Sequence, residues 1–161
     1  DGRTPCLGEE AMKRFRLMWN DVIYQPGEIR VVAYNIEGQA VEEKTIRTEG
    51  KAASIKLTPD RKVLKADGED LCYINVSLTD KDGNPVPADN RLMKVKVSGE
   101  GSFKAIANGD PTCLESFQQP QMHLFSGQLT VLVQSSSQPG EITVEVTGKG
   151  VKKARLTIIT E

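Results

Sequence analysis

The sequence predicts an all-β protein, and three observations point to that fold class. Apolar and polar residues alternate along residues 71–80, where polar side chains separate Ile74, Val76 and Leu78, as in a strand with one buried face. The run Asp82-Gly83-Asn84-Pro85 follows as a turn, because Gly and Asn tolerate a positive φ and Pro cannot donate to a strand ladder. The same succession of short strand and turn recurs along the chain, which favours a β-sandwich.

The pattern of the first segment, residues 1–50, predicts about three strands. Turn residues in 1–13 indicate a loop or a hairpin, and 14–19 alternates with Phe15, Leu17 and Trp19 on one face. Two β-branched strands are predicted over 29–34 and 41–48. Since about three strands cannot bury both faces of a sheet, we expect this segment to be the C-terminal strands of a truncated Ig-like domain.

The second segment, residues 51–161, predicts a complete sandwich. The polar connection 49–53 separates it from the first segment. About seven strands follow, which is the number in a complete Ig-like sandwich: 54–57, 71–80, 92–97, 102–107, 128–134, 141–147 and 153–160. No helix is required anywhere, so the predicted fold is an Ig-like β-sandwich preceded by a partial one.

Composition excludes several classes of partner. The 21 basic and 22 acidic residues give a net charge of −1, which leaves no electrostatic footprint for nucleic acid or an anionic membrane surface. No apolar stretch approaches the roughly 18 residues that a membrane span requires. We therefore expect neither a nucleic-acid partner nor a membrane partner.

The cysteines and the single histidine do not form a metal-binding pattern. Cys6, Cys72 and Cys113 are widely spaced, and His123 lies apart from any Cys-x-x-Cys motif. Because a zinc site needs about four closely grouped ligands, we predict neither a metal nor a cofactor. Cys72 starts the alternating strand and is expected to be a buried small hydrophobe. A disulfide between some pair of the three stays open.

The longest segment without a strand pattern is 108–125, and long loops in compact sandwiches are often functional. Asn108, Asp110 and Glu115 offer oxygen ligands, but a calcium cage needs about six to eight of them. A packed loop with Asx-turns is the favoured interpretation. Asp110 and Glu115 as a general acid and base are favoured less, because such loops rarely tune two carboxylates.

Carbohydrate binding would need exposed aromatic rings, on which sugars stack. Aromatic residues make up only 5% of the chain, so few candidates exist. Trp19 is predicted to lie in a core, and Tyr24 is the better surface candidate.

Two stretches carry a resemblance to a known family. The first is 15–48, with Trp19, Tyr24 and Pro26-Gly27-Glu28, then Val32-Ala33-Tyr34, Gly38 and Thr48-Glu49-Gly50. It resembles the last strands of an Ig-like domain found behind the catalytic barrel of bacterial glycoside hydrolase family 2 β-galactosidases. The second, 57–87 with the elements 108–111 and 115–117, is similar to the C-terminal sandwich of those enzymes. It also resembles invasin-type bacterial Ig-like repeats, which share the D-x-x-G-N-P-V turn found here at Asp80 to Val86.

The resemblance implies an accessory role. These enzymes are retaining glycosidases that use two glutamates on a barrel, and nothing in this chain corresponds to the barrel, so no catalytic residue carries over. The parent protein would hydrolyse β-galactosides or related glycosides, in the periplasm or outside the cell. The expected partners are the barrel and other domains of the parent, a second copy of the enzyme, or polysaccharide.

The candidate contact residues follow from this resemblance. Tyr24, Asn108, Asp110, Glu115 and Phe117 are the residues that we expect to bind carbohydrate or to border the active-site mouth. Two alternatives stay open, namely a carbohydrate-binding module and an Ig-like spacer repeat of a bacterial surface adhesin. A glycosidase barrel in the preceding sequence would favour the enzyme-linked functions, whereas further Ig-like repeats would favour the adhesin.

Overall fold

A computed structural model of the chain describes residues 22–161, which form strands joined by turns and loops. The predictions for 1–13, for the alternation of 14–19, for Trp19 and for Cys6 lie outside the described residues. The chain divides into two compact units between Thr48 and Glu49. The all-β prediction is confirmed, whereas the assignment of 1–50 to a truncated domain stays a prediction.

The first unit contains an antiparallel hairpin of β1 (Glu28–Tyr34) and β2 (Ala40–Arg47). Its turn follows from Asn35, whose side-chain oxygen accepts the backbone N–H groups of Glu37 and Gln39 at 3.0 and 2.9 Å. Such Asx geometry, with Gly38 at a φ of 78°, reverses the chain without strain. The predicted strands 29–34 and 41–48 therefore pair with each other.

The two faces of this hairpin differ in character. Ile29 lies directly opposite Ile46, and both side chains are exposed together with Val31. The other face carries two ion pairs, Arg30–Glu43 at 2.6 Å and Arg47–Glu28 at 2.7 Å. Lys44 lies opposite Val31 and Glu42 opposite Ala33, so the apolar side chains form a patch on the first face rather than the whole of it. Such a patch is stabilised by a covering partner.

The second unit is a sandwich of two sheets. The four-stranded sheet has the order β3-β5-β9-β7, and the five-stranded sheet has the order β4-β11-β10-β6-β8. The strands are β3 (Ser54–Pro59), β4 (Val63–Leu64), β5 (Leu71–Thr79), β6 (Leu92–Gly99), β7 (Gly101–Ala107), β8 (Gln121–His123), β9 (Gln128–Ser135), β10 (Gly140–Gly148) and β11 (Ala154–Thr160).

The structure adds two strands to the seven predicted in this unit. β4 pairs in parallel with β11, and β8 pairs antiparallel with β6. With two and three residues, neither is long enough to show a sequence period. The expectation that 108–125 is irregular throughout is therefore wrong for Gln121–His123, whose strand conformation depends on the neighbouring edge of β6.

The core lies between the two sheets and is built from the inward positions of the alternating strands. Residues of β5, β9 and β10 supply about half of it, each at most 2% exposed: Ile74, Val76, Leu78, Leu129, Val131, Val133, Ile142, Val144 and Val146. Full burial of such side chains contributes about 1.5–3 kcal/mol each. The predicted periodicity and the observed core coincide at these positions.

Cys72 belongs to this core, as predicted. Its side chain is fully buried, and its Sγ donates to the carbonyl of Arg61 at 3.3 Å. Burial, with a smaller effect of Asp60, raises the pKa of the thiol to about 11. Cys72 is therefore neutral at physiological pH and acts as a small hydrophobe. Cys72 and Cys113 are both free thiols, so they form no disulfide with each other.

Candidate functional site

The candidate site is the segment 108–120, which connects β7 to β8. These strands lie at the corresponding edges of the two sheets, so the segment crosses from one sheet to the other. Two backbone hydrogen bonds tie it to both: Ile106 N–H donates to the Phe117 carbonyl, and Val95 N–H donates to the Pro120 carbonyl, each at 2.8 Å. The segment thus covers an open side of the sandwich.

Asn108 fixes the start of this loop. Its side-chain oxygen accepts the Asp110 N–H at 3.0 Å, and its Nδ2 donates to the His123 carbonyl, also at 3.0 Å. Gly109 between them adopts a φ of 77°, which glycine reaches without cost. Asn108 therefore joins the end of β7 to β8, and both ends of its amide are occupied.

Asp110 organises the next turn. One carboxylate oxygen accepts both the N–H and the hydroxyl of Thr112 at 2.8 Å, and the Asp110 carbonyl accepts the Cys113 N–H at 3.2 Å. The hydrogen bond from the Thr112 N–H is the largest of the influences that lower the pKa of Asp110. This arrangement is the Asx-turn predicted from the sequence.

Glu115 joins the loop to β8. Its Oε2 accepts the backbone N–H of His123 at 3.0 Å, and its Oε1 lies 3.0 Å from the Nδ1 of the same residue. The backbone hydrogen bond is the main cause that lowers the pKa of Glu115. His123 therefore has a structural role here.

This network decides what the polar candidates can do chemically. The carboxylates of Asp110 and Glu115 have lowered pKa values and are ionised at neutral pH, whereas a general acid needs a raised one. Within residues 22–161 no group of three or more His, Cys, Asp or Glu side chains is arranged to hold a metal ion. Asn108, Asp110 and Glu115 are thus placed to shape the loop.

Two large apolar side chains of the loop, in contrast to the three polar candidates, are exposed to solvent. Phe117 is 53% exposed and Leu114 is 99% exposed. Together they are the exposed apolar part of a loop whose polar side chains are engaged within it. Sequence reasoning selected Phe117 and missed Leu114. The available signal was an apolar residue in a polar loop, between Cys113 and Glu115.

Tyr24 lies in the first unit and is 68% exposed. Its hydroxyl lies 3.4 Å from the Thr48 Oγ1, which also accepts the Gly27 N–H at 2.9 Å. Most of the ring faces solvent, so its predicted surface position agrees with the structure. Whether the ring contacts a sugar stays a prediction.

No helix among residues 22–161 is long and apolar enough to cross a membrane.

Comparison with known proteins identifies the sandwich. Residues 55–157 match the family described as glycoside hydrolase family 2 C-terminal domain 5. Residues 4–42 match a domain of unknown function, DUF4982. The first match covers more than half of the chain.

Relatives and solved structures agree with this match. The chain is 34% identical to β-galactosidase BoGH2A of Bacteroides ovatus over all 161 residues, which span 19% of that protein. A glycoside hydrolase family 2 member from Bacteroides cellulosilyticus is 31% identical with a TM-score of 0.84, covering 92% of this chain and 20% of that one. The D00-D0 domain of intimin shares the fold alone, at 17% identity and a TM-score of 0.53 over 85% of this chain and 66% of that one.

The predicted resemblance is therefore confirmed. The chain spans about a fifth of the length of these enzymes, and the matching portion is a non-catalytic accessory domain. The chain belongs to the glycoside hydrolase family 2 C-terminal domain 5 family.

Proposed function

We propose that this chain is the C-terminal accessory module of a β-galactosidase-like enzyme that hydrolyses β-galactosides or related glycosides. The identity to β-galactosidase BoGH2A along the whole chain supports this parent activity. A location in the periplasm or outside the cell is part of the same proposal and rests on the family resemblance. The barrel of the parent would carry the reaction, and this module would support it through contacts.

The loop 108–120 is the contact surface in this proposal. The observation that carries it is the division of roles within the loop: Asn108, Asp110 and Glu115 hold its shape, while Leu114 and Phe117 are exposed. A rigid loop loses little conformational entropy on docking. We assign Leu114 and Phe117 to packing against another domain of the parent, beside the mouth of its active site.

The test is a pair of substitutions in the whole parent enzyme. Leu114→Ser with Phe117→Ser should lower kcat/KM by about tenfold, because misplacement far from the chemistry can cost up to about 10²-fold. In the isolated chain, the same pair should change the free energy of unfolding by no more than about 0.5 kcal/mol, since exposed side chains contribute little to stability.

A matched control uses apolar residues exposed elsewhere on the sandwich. Val63→Ser with Tyr73→Ser removes two partly exposed side chains outside the loop. A docking role for the loop would be contradicted if both double variants lost kcat/KM equally. It would also be contradicted if neither lost any.

The proposal also concerns the first unit, because the β1–β2 hairpin has an exposed apolar patch. Ile29, Val31 and Ile46 would be covered by another domain of the parent or by a second copy of the enzyme. Light scattering of the chain over a range of concentrations distinguishes the two. A mass that rises with concentration favours a second copy, and a constant monomer mass favours another domain.

Polysaccharide binding is the second candidate function, and the exposure of Tyr24 favours it. The test is retention of the chain on gels that contain neutral galactan or xyloglucan, beside Tyr24→Ala. Retention that is lost in Tyr24→Ala would establish a binding module. Equal mobility in gels with and without polysaccharide would reject this function.

A further inference from the structure

The second unit contains an open cleft that lies outside the loop described above. Its volume is about 670 Å³, and three chain segments line it: 50–52, 86–91 and the turn 149–150. All three belong to the same compact unit. Because the cleft is wide open to solvent, it would contact one side of a small saccharide or a similar ligand.

Basic side chains dominate the charged groups of this cleft. Lys51, Arg91 and Lys149 line it, and Asp89 is the acidic residue beside them. Asp89 is paired with Arg91 through both carboxylate oxygens. Lys51 and Lys149 are exposed and take part in no ion pair within the described part of the chain. The cleft therefore has an excess of positive charge, which comes from two lysines.

The wall of the cleft is held in place before any ligand binds. Arg91 Nε donates to Asp89 at 2.9 Å, and its Nη1 donates to the carbonyl of Lys149 at 2.7 Å. Gly150 completes the turn at a φ of 76°. The hydrogen bond from Arg91 lowers the pKa of Asp89, so the pair stays charged at neutral pH. Such preorganisation reduces the entropic cost of binding.

The remainder of the lining is small and apolar, and no aromatic ring is among the lining residues. Ala52, Val86 and Ala88 form this part. A neutral sugar usually stacks on aromatic rings, which are missing from this lining. An anionic group near the lysines and a short apolar contact with the alanines and the valine fit the cleft better.

We propose that the cleft bounded by Lys51, Arg91 and Lys149 binds the carboxylate or sulfate group of an anionic saccharide. The choice of a saccharide rests on the proposed function, a module of a carbohydrate-acting enzyme. Lys51 and Lys149 attract the anion, and the Arg91–Asp89 pair fixes the turn that carries Lys149. This site is separate from the contact residues Leu114 and Phe117.

The test measures binding of three matched trisaccharides to the whole chain by titration calorimetry: trigalacturonate, a sulfated galactotriose and neutral galactotriose. We expect the anionic sugars to bind and the neutral one not to bind. The preferred anion identifies the group that the cleft takes. Binding should weaken as ionic strength rises from about 0.01 to 0.15 M, where the Debye length falls from about 30 to 8 Å.

Charge reversal locates the site. Lys51→Glu with Lys149→Glu should weaken binding by about tenfold. Lys56→Glu with Lys104→Glu makes the same charge change on the four-stranded sheet and should leave binding of the anionic sugars unchanged. The thermal midpoint of each variant confirms that it folds.

Three results would overturn the proposal: no binding of either anion, equal binding of the neutral sugar, or equal weakening in the two double variants. None of them bears on the docking role of the loop, which is tested separately with the loop substitutions in the whole parent enzyme. Failure of the loop substitutions with anion binding intact would reject the docking role and leave the cleft site standing.

Discussion

Asp80 shows how one carboxylate shapes the entry to the sandwich. It is 4% exposed and accepts backbone N–H groups from Gly50, Asp82 and Asn84, each at 2.9 Å, and the Asn84 amide at 3.1 Å. The Asn84 side chain is the largest cause that lowers the pKa of Asp80, from 3.8 to about 2. Asp80 therefore links the segment before β3 to the turn after β5.

The lowered pKa of Asp80 predicts how stability depends on pH. A depressed folded-state pKa means that Asp80 stabilises the fold fully above about pH 4 and loses this effect as the pH falls towards 2. Asp80→Asn should lower the free energy of unfolding at pH 7. The difference in this free energy between the variant and the unsubstituted chain should shrink as the pH falls. Urea unfolding at pH 7, 4 and 2.5 measures this.

Asp82→Asn is the control for this prediction, because it lies in the same turn and is exposed. It should change stability little at any of these pH values. If the free energies of unfolding of Asp80→Asn and of the unsubstituted chain differed by the same amount from pH 7 to 2.5, ionisation of Asp80 would not stabilise the fold.

At the scale of elements, the corner between β6 and β7 is the tightest connection in the sandwich. Only Glu100 separates the two strands, which belong to different sheets. Gly99 has a φ of 92°, and a Cβ there would lie 2.0 Å from the carbonyl oxygen of Glu141. Both the conformation and the close approach therefore require glycine.

Comparison of Gly99→Ala with Gly83→Ala separates these two causes. Gly83 has a similar φ of 84°, but a Cβ there meets nothing within 4 Å. We expect Gly83→Ala to cost about 1–2 kcal/mol from the left-handed conformation alone. Gly99→Ala should cost at least about 2 kcal/mol more, because β10 must also move. Urea unfolding of both variants measures the difference, and equal losses would contradict the role of the close approach.

At the scale of the whole molecule, the second unit contains its own core. Nineteen buried hydrophobic residues, from Ile55 to Ile158, form one cluster between its two sheets. The hairpin of the first unit has both faces exposed along most of its length. A two-stranded hairpin is marginally stable alone, whereas a sandwich of this size can fold independently.

This difference predicts that a chain of residues 49–161 folds by itself. Gly50, whose N–H binds Asp80, is retained in it. Its thermal midpoint should lie within a few degrees of that of the full chain, where about 1 kcal/mol corresponds to roughly 4–8 °C. Loss of cooperative unfolding in 49–161 would show that the first unit supplies part of the stability.

The sequence by itself determined the fold class, because strand alternation and turn chemistry are local. Positions such as Ile142, Val144 and Val146 alternate with polar neighbours, and their burial follows from the period of two. The Asx-turn at Asp110 was also predictable, since its partners lie within a few residues.

Only the tertiary structure decided the short strands and the sites. β4 and β8 depend on neighbouring strands that are distant in sequence. From the sequence, Glu115 was a candidate oxygen ligand for a metal ion, whereas in the fold its carboxylate accepts the backbone N–H of His123. Lys51, Arg91 and Lys149 share a cleft because three separate segments meet there. Such contacts depend on packing between remote parts of the chain, which no local pattern encodes.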